Sequence, residues 1–280
     1  MTSADALPGV SRTALGVARV RARESARDDR LFEDPLAGLF VAAAAGEPGS
    51  EEGAAAGAGN PLGAALAFQI VVRTRFFDDH LLDACAAGCR QVVLVAAGLD
   101  SRAFRLDWPD GVRLFEVDLP EVLAFKDAVL AEHRVRPRCE RHAVAADLRE
   151  DWAAALAAAG FDPGRATAWL SEGLLIYLGA ADAAAVLAAV EARSAPGSRV
   201  ALESGGGHAW LRAQAETTPG AGHLASLWQG GLGDDPADWL RARGWETTTH
   251  SLAALAAGYG RPARSASQSG FVTATRQPGG

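Results

Sequence analysis

From residue 90 onward, short runs rich in Val, Leu, Phe and Thr alternate with Ala-rich helical stretches. Such alternation is the pattern of a parallel sheet covered by helices, because each crossover must return the chain to the same edge of the layer. The predicted strands are Gln91–Val95, Arg113–Asp118, Arg141–Ala145, Thr167–Ser171 and Ser198–Ser204. Helical runs at Pro120–His133, Asp151–Ala159 and Ala180–Arg193 separate them. Pro120 suits a first helical turn, where its missing N–H costs nothing, and Pro196-Gly197 stops the helix before the fifth strand. Two more strands are expected at Glu246–Ser251 and Gly270–Arg276, after a long Gly- and Trp-rich stretch, Gly205–Trp245. Residues 1–70 read as helix and loop without a strand, one helix starting near Ser11.

Composition narrows the function. Of 280 residues 49% are hydrophobic and 22% charged, which suits an ordinary globular protein and excludes a wholly disordered one. The net charge of −7 argues against nucleic acid as a partner. Cys85, Cys89 and Cys139 form no even framework and no CxxC pair, so no disulfide and no metal site is expected. The N-terminus has no apolar signal core. The uncharged window Gly53–Val72 contains Asn60, Pro61 and Gln69, and reads as a loop leading into a helix rather than a membrane span. A cytoplasmic protein without membrane contact is expected.

The first strand runs into the small-residue turn Ala96-Ala97-Gly98-Leu99-Asp100-Ser101. Small residues let a backbone approach a ligand closely, but with one glycine this is not G-x-G-x-x-G, and alone the turn is a weak nucleotide signal. The second strand strengthens it by ending in Asp118, 20 residues after Gly98. A carboxylate there can accept from both hydroxyls of a ribose, or it can cap the helix beginning at Pro120. Glu116 faces the same side of that strand and competes for the role. The third strand ends in Ala146-Asp147-Leu148, where an acid could take an adenine amino hydrogen while Leu148 packs on the ring. One adenosine lying across three strand ends explains all three features better than a dinucleotide does.

These residues stand in order with further blocks: Arg73-Thr74-Arg75-Phe76-Phe77-Asp78-Asp79, Gln91 to Leu106, Phe115 to Pro120 with Lys126, Asp147-Leu148-Arg149 with Trp152, and Ser171-Glu172-Gly173-Leu174-Leu175-Ile176-Tyr177-Leu178. The series resembles the leucine carboxyl methyltransferase family of S-adenosylmethionine-dependent methyltransferases, especially its actinobacterial branch, which includes polyketide O-methyltransferases. The resemblance covers about residues 11–204 and is loose beyond. It implies an α/β class I methyltransferase fold, Rossmann-like, with a seven-stranded mostly parallel sheet. An N-terminal helical cap would cover residues 1–70 and the catalytic domain residues 71–280, with a substrate-side insertion at about 205–245. It implies S-adenosyl-L-methionine as cofactor. Arg73 would pair with the methionine carboxylate, and Gly98 would lie under the methionine part. Asp118 would hold the ribose, Asp147 and Leu148 the adenine, and Glu172 would stand near the sulfonium. Ala96 departs from the family's usual glycine.

Read without the resemblance, Arg73 would be a surface arginine paired with Asp78 or Asp79. Glu172 ends a very apolar strand, where an acid is costly unless paired or at an open sheet edge. Arg19, Arg23, Arg27 and Arg30 recur at helical spacing, either as a solvated face or as a basic lid that attracts an anion. Tyr177 is a candidate substrate contact. His142 reads as structural, while His208 and His223 fall in the insertion as possible bases. Trp210, Trp228 and Trp239 either wall an apolar pocket or pack the insertion.

The expected reaction is O-methylation of a small or medium-sized molecule, first a carboxylate, which is ionised at neutral pH and needs no base. No catalytic residue is therefore named. A phenol or other hydroxyl is the alternative acceptor. A nicotinamide-dependent oxidoreductase and a non-catalytic adenosine-ligand-binding protein are the alternatives in other classes.

Overall fold

The computed structural model describes residues 9–45, 61–204, 213–215, 217–218, 221–233, 235–261 and 270–278. Three helices, α1 (Gly9–Ser25), α2 (Ala37–Ala43) and α3 (Pro61–Ala86), precede the sheet. Then follow β1 (Gln91–Val95), α4 (Arg102–Arg105), β2 (Arg113–Asp118), α5 (Pro120–Glu132), β3 (Glu140–Ala145), α6 (Trp152–Ala158) and β4 (Thr167–Ser171). A 3-10 turn at Leu175–Tyr177 leads to α7 (Ala180–Ala192) and β5 (Arg199–Glu203). The chain ends with α8 (Gly222–Ser226), α9 (Pro236–Arg241), β6 (Trp245–Ser251), α10 (Leu252–Gly258) and β7 (Gly270–Arg276).

All seven strands form one sheet in the order β3-β2-β1-β4-β5-β7-β6. The pairs from β3 to β5 are parallel, and β7 is antiparallel to both neighbours. This is the class I methyltransferase sheet. The order reverses between β1 and β4, the switch point outside which ligands bind in open α/β sheets.

Strand β1 is buried along its whole length, so both faces of Gln91–Val95 must be covered. Val92 and Leu94 point into a core closed by α1 to α3, α5 and α10. Val93 and Val95 point into a second core closed by α6, α7 and α9. Pro120 occupies the first turn of α5, as expected, and Asp151 caps α6 by accepting from the Ala154 amide at 3.1 Å. Helix α3 runs unbroken through residue 70, where the cap was expected to end. Its 26 residues extend about 39 Å, enough to cross the sheet and overhang the strand ends. Among the described residues no helix is long and apolar enough to cross a membrane.

Candidate functional site

The carboxyl ends of five neighbouring strands carry four residues singled out by sequence and one, Glu203, that was not. In sheet order they are Asp147 after β3, Asp118 on β2, Gly98 after β1, Glu172 after β4, and Glu203 on β5. At about 4.8 Å between strands this row spans roughly 19 Å.

Asp118 joins two of these ends. Its Oδ2 accepts the Gly98 amide at 2.6 Å and its Oδ1 accepts the Leu119 amide at 2.7 Å. The N-cap of α5 is Leu119, with no side-chain cap hydrogen bond, so the capping role considered for Asp118 does not apply. Burial raises the Asp118 carboxyl above its ordinary range, with the two amides and Lys126 pulling the other way. Each oxygen accepts one amide and retains capacity for another donor. Glu116 does not compete. It is fully buried and ion-paired through Oε2 with Lys126 at 2.8 Å and Arg141 at 2.7 Å. Next along the row, Asp147 is bonded by Arg149, from Nε at 3.0 Å and Nη2 at 2.5 Å. Leu148 is half-buried against the α6 side of the core.

The turn between β1 and α4 holds Ala96 at φ 58° and Gly98 at φ 51°. A left-handed backbone is easy for glycine and strained for alanine. The departure at Ala96 therefore acts on the backbone as well as on the space above it.

At the other end of the row lies a buried ionic network that sequence reasoning did not assemble. Arg73 is not a surface residue paired with Asp78 or Asp79. It projects from α3 over the sheet and donates from Nε to Glu172 and from Nη1 to Glu203, each at 2.8 Å. Arg102, wholly buried, donates to Asp78 at 2.7 Å, to Glu172 at 2.7 Å and to Asp100. Arg105 grips both oxygens of Asp78 at 2.6 and 2.7 Å. Burial would raise Asp100, but Arg102, aided by Lys126, Arg21 and Arg105, overrides it and holds the group at about 2. Burial would likewise raise Glu172, and Arg102 with Arg73 holds it below its ordinary range. Glu203, with a share of one arginine, stays raised by burial. Glu172 is therefore paired, as an acid at the end of an apolar strand must be.

The remaining candidates separate. Helix α1 ends at Ser25, so Arg27 and Arg30 lie beyond it and the four arginines form no single helical stripe. Arg27 pairs with Asp29 at 2.9 Å, and Arg30 with Glu33 at 3.7 Å. Arg21 of α1 reaches the turn after β1, bonded to the Leu99 carbonyl at 2.5 Å and paired with Asp34 at 3.2 Å. Tyr177 packs with Leu66 and Ile176 around the cluster of Leu62, Ala215, Ala221 and Trp228. Trp239 belongs to the core of the opposite face, under Arg243, so the tryptophans do not wall one pocket. Trp210 and His208 lie outside the described residues, as does the His223 side chain. His142 stacks on Phe115 at 4.8 Å and bonds Glu140, a structural role. Burial pushes the Cys85 and Cys139 thiols up to about 12, and Cys89 upward, so all three are inert. Among the described residues no group of three or more His, Cys, Asp or Glu is placed to hold a metal.

Comparison with known proteins agrees with the sheet order. The fold is that of a class I methyltransferase. Residues 14–191 match the family described as leucine carboxyl methyltransferase, and the chain belongs to that family. A relative from Parafrankia sp. is 51% identical over 275 residues, covering 97% of this chain and 88% of its own length. One from Streptomyces coelicolor is 49% identical, covering 96% of each chain. Both bear the description S-adenosyl-L-methionine-dependent methyltransferase. Among solved structures, a DUF574 family protein from Streptomyces avermitilis superposes with a TM-score of 0.60 at 19% identity, covering 93% of this chain and 97% of its own. The Synechocystis magnesium protoporphyrin IX methyltransferase, solved with bound SAH, reaches 0.50 at 14% identity, covering 82% and 94%. At such identities the likeness concerns the fold.

Proposed function

We propose that the protein transfers a methyl group from S-adenosyl-L-methionine to an oxygen of a small or medium-sized molecule, with a carboxylate as acceptor and a methyl ester as product. As a member of its family the protein is an S-adenosyl-L-methionine-dependent methyltransferase, and S-adenosyl-L-methionine is its cofactor.

The residues fit that cofactor, and the observation that carries the fit is Asp118. Its two oxygens each accept one amide and keep room for one hydroxyl, which is what a ribose diol needs. Asp147 and Leu148 would receive the adenine. The Arg149 side chain bonded to Asp147 is largely exposed, and such a pair is weak enough to rearrange. Arg73 would pair with the methionine carboxylate, since the bonds to Glu172 and Glu203 use two of its five N–H groups. Gly98 would lie under the methionine part, with Glu172 near the sulfonium. When bound, the cofactor supplies an electrophilic methyl group on a positively charged sulfur.

The chain's own contribution is alignment and exclusion of water, together worth several kcal/mol in such displacements. Arg102 and Arg73 keep Glu172 ionised and fixed, so the charge near the sulfonium needs no reorganisation. No residue moves a proton in this reading, because a carboxylate acceptor is already ionised. A small acceptor is supported by the apolar cluster of Leu62, Leu66 and Trp228, which Tyr177, five residues after Glu172, joins. Tyr177 would contact it.

A hydroxyl acceptor is the second reading; it would need a base, for which Glu203, at the end of β5 beside Glu172, is a candidate among the described residues, while His208 and the His223 side chain lie outside them. Methyl transfer from labelled cofactor to candidate acids decides between them. A carboxylate acceptor gives label released as methanol by mild alkali, at a rate flat from about pH 6 to 8. A base-stable product, formed faster as pH rises through neutrality, would overturn the ester.

A further inference from the structure

Two acids of the row, Asp118 and Asp147, differ in what they have left to accept. Asp118 takes one amide on each oxygen, whereas Asp147 is full. Its Oδ1 accepts the Arg149 amide at 2.9 Å and Nε at 3.0 Å, and its Oδ2 accepts Nη2 at 2.5 Å and Nε at 3.2 Å. A carboxylate oxygen has two lone pairs, so an adenine amino hydrogen finds no acceptor at Asp147 while the guanidinium stays.

The guanidinium is not locked in place. Arg149 keeps 67% of its side chain exposed and Asp147 26%, and an exposed pair of this kind is held weakly. Arg149 also borders a groove of about 220 Å³ between α6 and α7, walled by Leu148, Glu150, Asp151, Asp182 and Arg193. Asp182 stands exposed in the first turn of α7 and forms no ion pair among the described residues. Its charge and that of Glu150 already act on the Arg149 guanidinium. Arg193, the other cation of the groove, donates to the Ala189 carbonyl at 3.2 Å.

We propose that Arg149 is an internal competitor for the adenine of the cofactor: it holds Asp147 in the free protein, turns toward Asp182 when adenine binds, and retakes Asp147 as S-adenosylhomocysteine leaves. The change is an exchange of one exposed ion pair for another, with no covalent step. It lowers affinity for cofactor and product alike. A cation poised beside the occupied acid also speeds product release, a step that limits turnover in many enzymes. The inference rests on Asp147 as the adenine acid in the proposed function.

Calorimetry on the full chain can test it with S-adenosylhomocysteine and S-inosylhomocysteine, in which a carbonyl oxygen replaces the adenine amino group. Arg149→Met keeps most of the stem and removes the competing charge. It should bind S-adenosylhomocysteine about two- to fivefold tighter than wild type, the range an exposed ion pair supplies, and release it more slowly in stopped flow. S-inosylhomocysteine, with no amino hydrogen to offer Asp147, should gain nothing. Added salt screens the Arg149–Asp147 pair, so wild-type affinity for S-adenosylhomocysteine should rise with ionic strength and that of Arg149→Met should not. Asp182→Asn withdraws the second seat and should weaken S-adenosylhomocysteine binding in an otherwise unaltered protein. Unchanged or weaker binding of S-adenosylhomocysteine by Arg149→Met overturns the inference, as does an equal gain for both ligands. Unaltered affinity in Asp182→Asn overturns the move to α7. A wild type that binds both ligands equally would instead remove Asp147 from the adenine site, and one that binds neither would remove the cofactor reading itself.

Discussion

The two ends of the strand-end row are built on different principles. The end formed by Gly98, Asp118 and Asp147 is local: each residue sits on or just past its strand, and Asp118 is held by two backbone amides. The end formed by Arg73, Arg102, Glu172 and Glu203 is assembled from α3, the first turn and two strands, and every side chain is fixed by another side chain. One end depends on backbone geometry and the other on charge balance. Damage should therefore read out differently, as lost ligand affinity at the first and lost fold stability at the second.

Arg102→Met should give the largest effect. It leaves Asp78, Asp100 and Glu172 buried with one cation fewer, and breaking such a pair costs about 3–5 kcal/mol. The denaturant midpoint should fall sharply, and a fall no larger than for a surface arginine would remove the contrast. Asp118→Ala should do the reverse. Cofactor affinity should drop by about 2–4 kcal/mol in calorimetry, with fold stability changed far less. Equal losses in both would show the acid to be structural.

A pH series sharpens the charged end. Asp100 lies at about 2 against an ordinary 3.8, so its contribution is fully present above pH 3.8 and is lost as pH falls toward 2. That shift corresponds to about 2 kcal/mol, and Glu172 adds to it in the same direction. Glu203, raised, works oppositely and costs stability at neutral pH. Denaturation of the free protein between pH 5 and about 2 should show a net loss, shallower in Arg102→Met, where the depressing charge is gone. The smallest effect belongs to the backbone end. Ala96→Gly relieves a positive φ and should stabilise the fold by up to about 1 kcal/mol, visible as a raised melting temperature.

The same division explains what was legible in the sequence. Strands β1, β2, β4 and β7 have the expected boundaries, because buried β-rich runs bounded by polar turns leave little choice of register. The strand-end positions of Asp118 and Asp147 were legible because an acid closing a strand is a local signal. Arg73 meets Glu172 and Glu203 across separations of 99 and 130 residues, and no local pattern reports that. Glu203 had a signal of the kind that marked Glu172, an acid closing an apolar strand. The fifth strand was expected to run on to Ser204, which placed Glu203 in its interior. The arginine stripe failed for the opposite reason: spacing alone extended α1 beyond Ser25, where the chain turns to pair Arg27 with Asp29.

A crystal structure of the protein with S-adenosylhomocysteine tests the placement of the cofactor most directly. The ribose hydroxyls should lie within hydrogen-bonding distance of Asp118, the adenine beside Asp147 and Leu148, and the methionine carboxylate on Arg73. A ligand seated away from the strand ends, or a ribose bound without Asp118, would contradict it.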